Sequence, residues 1–275
     1  MKVFADNIIT NFGISRLETA FKKYSKGVEF VSREKEADLV IIYAYGQRRK
    51  VDKRIKWILE RGQKYVMVQL AVRSTANPKT EDWIPFWEKA EQVWGYYDLM
   101  ALAQEDDNYP EFNFYYAPLG VDADLFQDKQ VKRIYKVMVG DNRDESVNEC
   151  VRAAKGEVSH LGIDVEDEHL ALHYSQCQYV SGLRRKEGFE MPVIEGLLCG
   201  ARPICYDKPH FRHWFEGLAE FIPEAHPEEV VKSLETIFAK SPRPVSEAEK
   251  LWVKGYFDWD KIIEGFWRQY DNRKG

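Results

Sequence analysis

The sequence predicts an α/β protein built as two doubly wound halves, each around a parallel sheet. Three observations carry that expectation. Short apolar runs alternate with amphipathic stretches, as successive βα units require. The alternation stops at a polar, charged joint near residues 127–133 and then restarts. The run LVIIYAY at residues 39–45 has the length of a buried strand and is far too short to cross a bilayer. With 275 residues, 44% hydrophobic and 14% aromatic, the chain has material for two cores.

The elements follow in order. KVFADNI opens the first half as a strand. Asn11, Phe12 and Gly13 read as a turn, with Ser15 capping a helix to about residue 24. VEFVS and ADLVIIYAY supply two more strands. Residues 50–61 form a basic helix stopped by Gly62, and KYVMVQL is the next strand. Asn77-Pro78 marks residues 73–82 as a loop. A stretch carrying Trp83, Trp87 and Trp94 leads to the late strand FNFYYAPLGVD. In the second half, KVMVG, EVSHLGI, YVSGL and RPICYD are strands. Helices at 145–155, 167–176 and 192–199 separate them, and helical segments at 227–240 and 246–270 close the chain. The predicted division is a reduced N-terminal half at 1–127, a second half at 128–257, and a C-terminal helix at 258–275 crossing back to the first.

Composition removes several function classes. A net charge of -5 argues against a protein that works mainly by gripping nucleic acid. Cys150, Cys177, Cys199 and Cys205 contain no C-x-x-C pair, and a chain this rich in core residues needs no disulfide framework. They read as reduced thiols of a cytoplasmic protein. The start, MKVFADNIIT, is not patterned as a signal peptide. Asp122-Ala123-Asp124 and Asp258-Trp259-Asp260 are D-x-D patterns, read here as a turn and a helix cap rather than metal ligands. His169 and His173 share a helix spacing but lack a third ligand. No metal and no cofactor is expected.

The informative window is residues 186–207, KEGFEMPVIEGLLCGARPICYD. A strand ends before it, a loop carries Glu187 and Gly188, Pro192 stands where a helix begins, and Gly200 ends that helix. The amides around Phe189, Glu190, Met191 and Val193 then lie at a helix N-terminus, which attracts phosphate and bonds hydroxyls. Gly188 admits a ligand close to the backbone. Glu187 precedes this helix end and Glu195 lies one turn inside it. A carboxylate accepts two hydrogen bonds from a vicinal diol, the group that ribose and hexoses present.

EGFEMPVIE resembles the E-G-F-x-x-P-x-x-E signature of retaining glycosyltransferases of the GT-B type, in particular family 4. The resemblance implies two Rossmann-like domains with parallel sheets facing across a cleft, and transfer of a sugar from a nucleotide sugar to an acceptor hydroxyl. It implies that Glu195 binds the nucleotide ribose and Glu187 the donor sugar. The amides of Phe189, Glu190 and Met191 then hold sugar hydroxyls, next to Gly188 and Pro192. APLGVDADLF, VSHLGI with DEHLALHYSQCQ, and the terminal YFDWDKI are similar to further family segments. The likeness covers most of the second half and fragments of the first.

The family also uses an Arg and a Lys on the leaving pyrophosphate. Arg143, after KVMVG, matches the Arg and joins Glu187 as a catalytic candidate; the Lys has no counterpart, and Arg184, Arg185 and Lys186 beside Glu187 are substitutes. Gly13 matches a phosphate loop that usually carries two glycines, and Arg73 is read as a plain loop arginine. Residues 48–64 hold eight Lys or Arg against two acids. Val51, Ile55, Ile58 and Leu59 form the expected buried stripe. Lys50, Lys53, Arg54, Trp57, Arg61 and Lys64 form the opposite face, a contact for an anionic surface. The acceptor is a glycan, a lipid or a modified nucleic acid. The alternatives are a non-catalytic nucleotide-sugar binder of the same fold, and a glycosyltransferase directed at DNA bases.

Overall fold

A computed structural model of the chain describes residues 1–6, 12–45, 48–71, 83–105, 111–139, 145–155, 158–160, 165–185 and 188–272. They divide into two compact units, Met1–Leu119 with Trp259–Gly275, and Gly120–Asp258. Residues 120–127, read from sequence as the end of the first half, group with the second unit.

The first unit runs through β1 (Lys2–Asp6), α1 (Phe12–Tyr24), β2 (Glu29–Phe30), β3 (Leu39–Tyr45), α2 (Arg48–Glu60), β4 (Lys64–Ala71), α3 (Ile84–Trp87), β5 (Gln92–Gly95), α4 (Leu99–Glu105) and β6 (Phe114–Tyr116). Its strands pair in parallel in the order β2-β1-β3-β4-β5-β6, with Ile41 of β3 opposite Ala5 on one side and Val66 on the other. β3 is apolar throughout because both faces of a parallel sheet are covered. Val40, Ile42 and Ala44 pack with Val51, Ile55 and Ile58 of α2. On the other face the Tyr43 ring lies 6.5 Å from that of Phe21 in α1.

The second unit runs through β7 (Tyr135–Val139), α5 (Glu145–Ala153), β8 (Val158–His160), α6 (Asp167–Ser175), β9 (Cys177–Gly182), α7 (Met191–Leu198), β10 (Arg202–Tyr206), α8 (Pro209–Phe215), β11 (Glu220–Ile222), α9 (Pro227–Phe238) and α10 (Glu247–Tyr256). Its strands are also parallel, in the order β11-β10-β9-β7-β8. Successive residues of a strand face opposite ways. In β9, Tyr179 meets Phe238 of α9, whereas Val180 lies under Gly196 of α7, so the two helices cover opposite faces.

The last helix, α11 (Trp259–Asn272), belongs to the first unit. Phe266 packs its ring 5.3 Å from Phe21 and 5.9 Å from Trp94. Gln92 donates to the Phe266 carbonyl at 2.9 Å, and Trp267 Nε1 donates to Ser25 Oγ at 2.7 Å.

Several sequence expectations need correction. α1 starts at Phe12, so Gly13 lies in its first turn rather than in a preceding turn, and Ser15 does not begin the helix. The segment 246–270 is two helices, broken at Phe257 and Asp258. β5, α8 and β11 were not anticipated. They are four, seven and three residues long, too short to set up a readable period. On α2, Leu59 is 40% exposed and Trp57 packs against the core instead. Among the described residues, no helix is long and apolar enough to cross a membrane.

Candidate functional site

Both sheets have one point where strand addition reverses, between β1 and β3 in the first unit and between β7 and β9 in the second. Connections leaving the carboxyl ends of such a strand pair turn to opposite faces, and ligands of open parallel sheets bind in the crevice between them. In the second unit, residues 140–144 follow β7 and residues 183–190 follow β9. In the first, Gly13 stands in the helix that follows β1.

The segment after β9 turns at once, with Arg184 N donating to the Gly182 carbonyl at 3.0 Å. Gly188, Phe189 and Glu190 are all buried. Phe189 pins the loop by packing its ring 5.2 Å from Phe215 and 5.7 Å from Phe257. Glu190 is the N-cap of α7 in an extended conformation, and its carbonyl accepts from Val193 N at 3.1 Å. Pro192, in the first turn, has no N–H to satisfy. Met191 and Pro192 are half-buried. The helix ends in a Schellman arrangement: Gly200, at φ 81°, donates to Leu197 O, and Ala201 N donates to Gly196 O.

Glu195 lies inside α7 with 1% exposure. The buried Tyr174 of α6 donates its hydroxyl to Glu195 Oε2 at 3.1 Å. A carboxylate this desolvated needs hydrogen-bond donors around it. Sequence reading missed Tyr174, because nothing in DEHLALHYS marks which of its residues meets α7.

Arg184 and Arg185, beside the motif, are engaged with acids. Arg184 Nε lies 3.5 Å from Glu190 Oε2, whose residue is 2% exposed. Arg185 donates to the Ala225 carbonyl at 3.0 Å and lies 3.5 Å from Glu224. Lys208 pairs with the same Glu224 at 2.8 Å and donates to the Arg185 carbonyl. Arg185 is therefore an anchor that ties the post-β9 loop to the segment after β11. Arg143, Lys186 and Glu187 lie outside the described residues, as does Arg73.

The other sequence candidates resolve locally. Asp122 Oδ1 accepts from Asp124 N and Leu125 N, both at 3.2 Å, so this D-x-D closes a turn. All four cysteines are buried free thiols, and burial pushes the Cys199 thiol up to about 12. On α2, Arg54 and Arg61 both lie over the Trp57 ring, and Arg54 is also paired with Glu34. Lys64 pairs with Glu91 at 3.1 Å. Lys53 is exposed, and the side chain of Lys50 lies outside what is described. Much of the expected anionic-contact face is thus occupied by its own acids and its own tryptophan.

The fold is that of the GT-B glycosyltransferases. The chain is similar to Anabaena Alr3699/HepE in complex with UDP and glucose, with a TM-score of 0.70, 12% identity, and coverage of 98% of this chain and 99% of that one. It is similar to sucrose-phosphate synthase from Thermosynechococcus elongatus, with a TM-score of 0.69, 13% identity, and coverage of 94% and 77%. A glycosyltransferase from Rickettsia africae ESF-5 gives a TM-score of 0.66 at 10% identity, covering 98% and 97%. No family model and no curated protein sequence matches the chain.

Proposed function

We propose that the chain is a retaining, metal-independent glycosyltransferase that moves a sugar from a nucleotide-diphosphate sugar to an acceptor hydroxyl. One observation carries this reading. Glu195, the second acid of the motif, is buried on the helix that follows β9, beside the reversal point where an open sheet takes its ligand. The GT-B fold supports it, as do the UDP and glucose held by HepE. The free thiols agree with a cytoplasmic setting.

In this reading Glu195 accepts both ribose hydroxyls. Amides of Phe189, Glu190 and Met191 hold sugar hydroxyls, with Gly188 allowing the approach. Glu187 contacts the sugar, and Arg143, Arg184 and Lys186 serve the pyrophosphate. The bond from the anomeric carbon to the phosphate oxygen breaks as positive charge builds on the sugar ring. The acceptor oxygen bonds to the anomeric carbon from the same face, and its proton passes to the departing phosphate.

A thermal-shift screen against UDP-, GDP- and ADP-sugars identifies the donor. Glu195→Ala is then expected to weaken its binding at least roughly tenfold, since each hydrogen bond to a charged group is worth about 1.5–3 kcal/mol. Glu187→Ala is expected to lower turnover more than binding. Wild-type kinetics in both variants would remove the assignment.

The pairing of Arg184 with Glu190, and of Arg185 with Glu224, supports a second reading. Cations held by neighbouring acids have less to give a leaving pyrophosphate, which suits a nucleotide-sugar binder without turnover. Steady release of nucleoside diphosphate from the bound sugar excludes that reading.

A further inference from the structure

We propose that Tyr174 is a positioning residue for nucleotide recognition, fixing the Glu195 carboxylate so that the site reads a ribose and rejects a 2′-deoxyribose. The inference rests on the reading of Glu195 as the ribose ligand.

The geometry is specific. The Tyr174 hydroxyl donates to Glu195 Oε2 at 3.1 Å, and both residues are at least 98% buried. The Tyr174 ring is itself held: Phe126 meets it edge-on at a centroid distance of 6.1 Å and an interplanar angle of 60°. α6 packs against α7, so the hydroxyl and the carboxylate are carried on two rigid, contacting elements.

A Glu side chain has three rotatable bonds, and its carboxylate can turn about the last of them. A vicinal diol is read only if the two oxygens face it together. A hydrogen bond from a fixed hydroxyl to one named oxygen sets that plane before ligand arrives. The orientation then costs nothing at binding, which is the gain from preorganisation. A site built to bond a hydroxyl discriminates strongly against the analogue lacking it. That discrimination weakens when the carboxylate loses a bond that fixes its plane.

The experiment uses Tyr174→Phe, which removes the hydroxyl and keeps the ring against Phe126. Dissociation constants are measured for UDP, GDP and ADP and for dUDP, dGDP and dADP, in wild type, Tyr174→Phe, Glu195→Gln and the double variant. In Tyr174→Phe the best ribonucleotide is expected to bind up to about tenfold more weakly, because the carboxylate must then be oriented at binding. Its deoxy counterpart is expected to change little, so the ribo/deoxy ratio falls toward one. In the Glu195→Gln background the tyrosine change is expected to add far less. An unchanged ratio alongside a lowered melting temperature overturns the proposal and leaves Tyr174 as packing. If Tyr174→Phe does not fold, Phe126→Leu loosens the ring while keeping the hydroxyl, and the same ratio decides. Wild-type protein that binds none of the six, or Glu195→Ala that binds as wild type does, overturns the glycosyltransferase reading and this inference with it. Weakened binding in Glu195→Ala with an unmoved ratio in Tyr174→Phe overturns the tyrosine alone.

Discussion

Arg202 sits in β10 at 1% exposure, where an arginine persists only if its donors are met. Nε reaches Arg243 O, Nη1 reaches Leu218 O and Glu249 Oε1, and Nη2 reaches Pro244 O and Glu249 Oε2, at 2.8 to 3.2 Å. Glu249 also closes a capping box with Ser246 at the start of α10. Burial pushes the Glu249 carboxyl up, but hydrogen bonds from Arg202 and Ser246 outweigh it and bring it down to about 2. A depressed carboxyl stabilises the fold above its ordinary value of 4.5, and that contribution is lost as pH falls from there toward 2. The urea midpoint of wild type is therefore expected to fall as pH drops through that window, and Glu249→Gln to flatten the dependence. Arg202→Met removes the donors to three carbonyls and one of the two arginines that hold Glu249, which keeps Arg243 and Ser246, and is expected to cost about 3 kcal/mol at pH 7. At this scale the sequence is legible where a feature is local, as with Asp122-Ala123-Asp124, read as a turn and closed by Asp122 Oδ1. It is silent where partners are distant, as with Arg202 and Glu249, 47 positions apart, or Tyr174 and Glu195, 21 apart.

α7 shows what a single element demands. It lies so close on β9 that a Cβ on Gly196 would stand 2.6 Å from Val180 Cγ1 and 2.8 Å from Val180 Cβ. Gly196→Ala is normally a gain in helix propensity. Here overpacking outweighs it, and the change is expected to cost about 1–3 kcal/mol. It also shifts the backbone next to Glu195, so under the proposed function titration should show weaker nucleotide binding together with a lower urea midpoint. A higher midpoint would mean that the helix can lift without loss. Elements with a long run or a clear stop were readable: LVIIYAY, the basic helix before Gly62, and the helix between Pro192 and Gly200. The break between α10 and α11 was marked by the cap pattern at Asp258 but not by the helical run 246–270, because Phe257 is held by tertiary packing against Phe189 and Phe215 rather than by a helix-breaking residue.

The two-half organisation was visible where the strand–helix alternation restarts. The boundary was not, because it is set by a contact between ends far apart in sequence. Val121 N donates to Phe257 O at 2.9 Å, and Val121 bridges Asp258, so entry to and exit from the second unit are bonded together. The second unit is thus one continuous stretch, whereas the first is complete only when α11 has docked. Phe266 supplies the centre of that docking, with rings of Phe21, Trp94, Tyr115 and Trp267 all within 6 Å. Truncating a phenylalanine so enclosed costs about 3–5 kcal/mol. The loss falls on the unit whose core it completes. In Phe266→Ala, native-state hydrogen exchange is expected to quicken in β1, β3, β4 and β5 by up to the full local destabilisation. β7, β9 and β10 should lose less protection. Equal loss in both sheets would show that the chain unfolds as one cooperative body, and that α11 stabilises the molecule as a whole rather than the unit it completes.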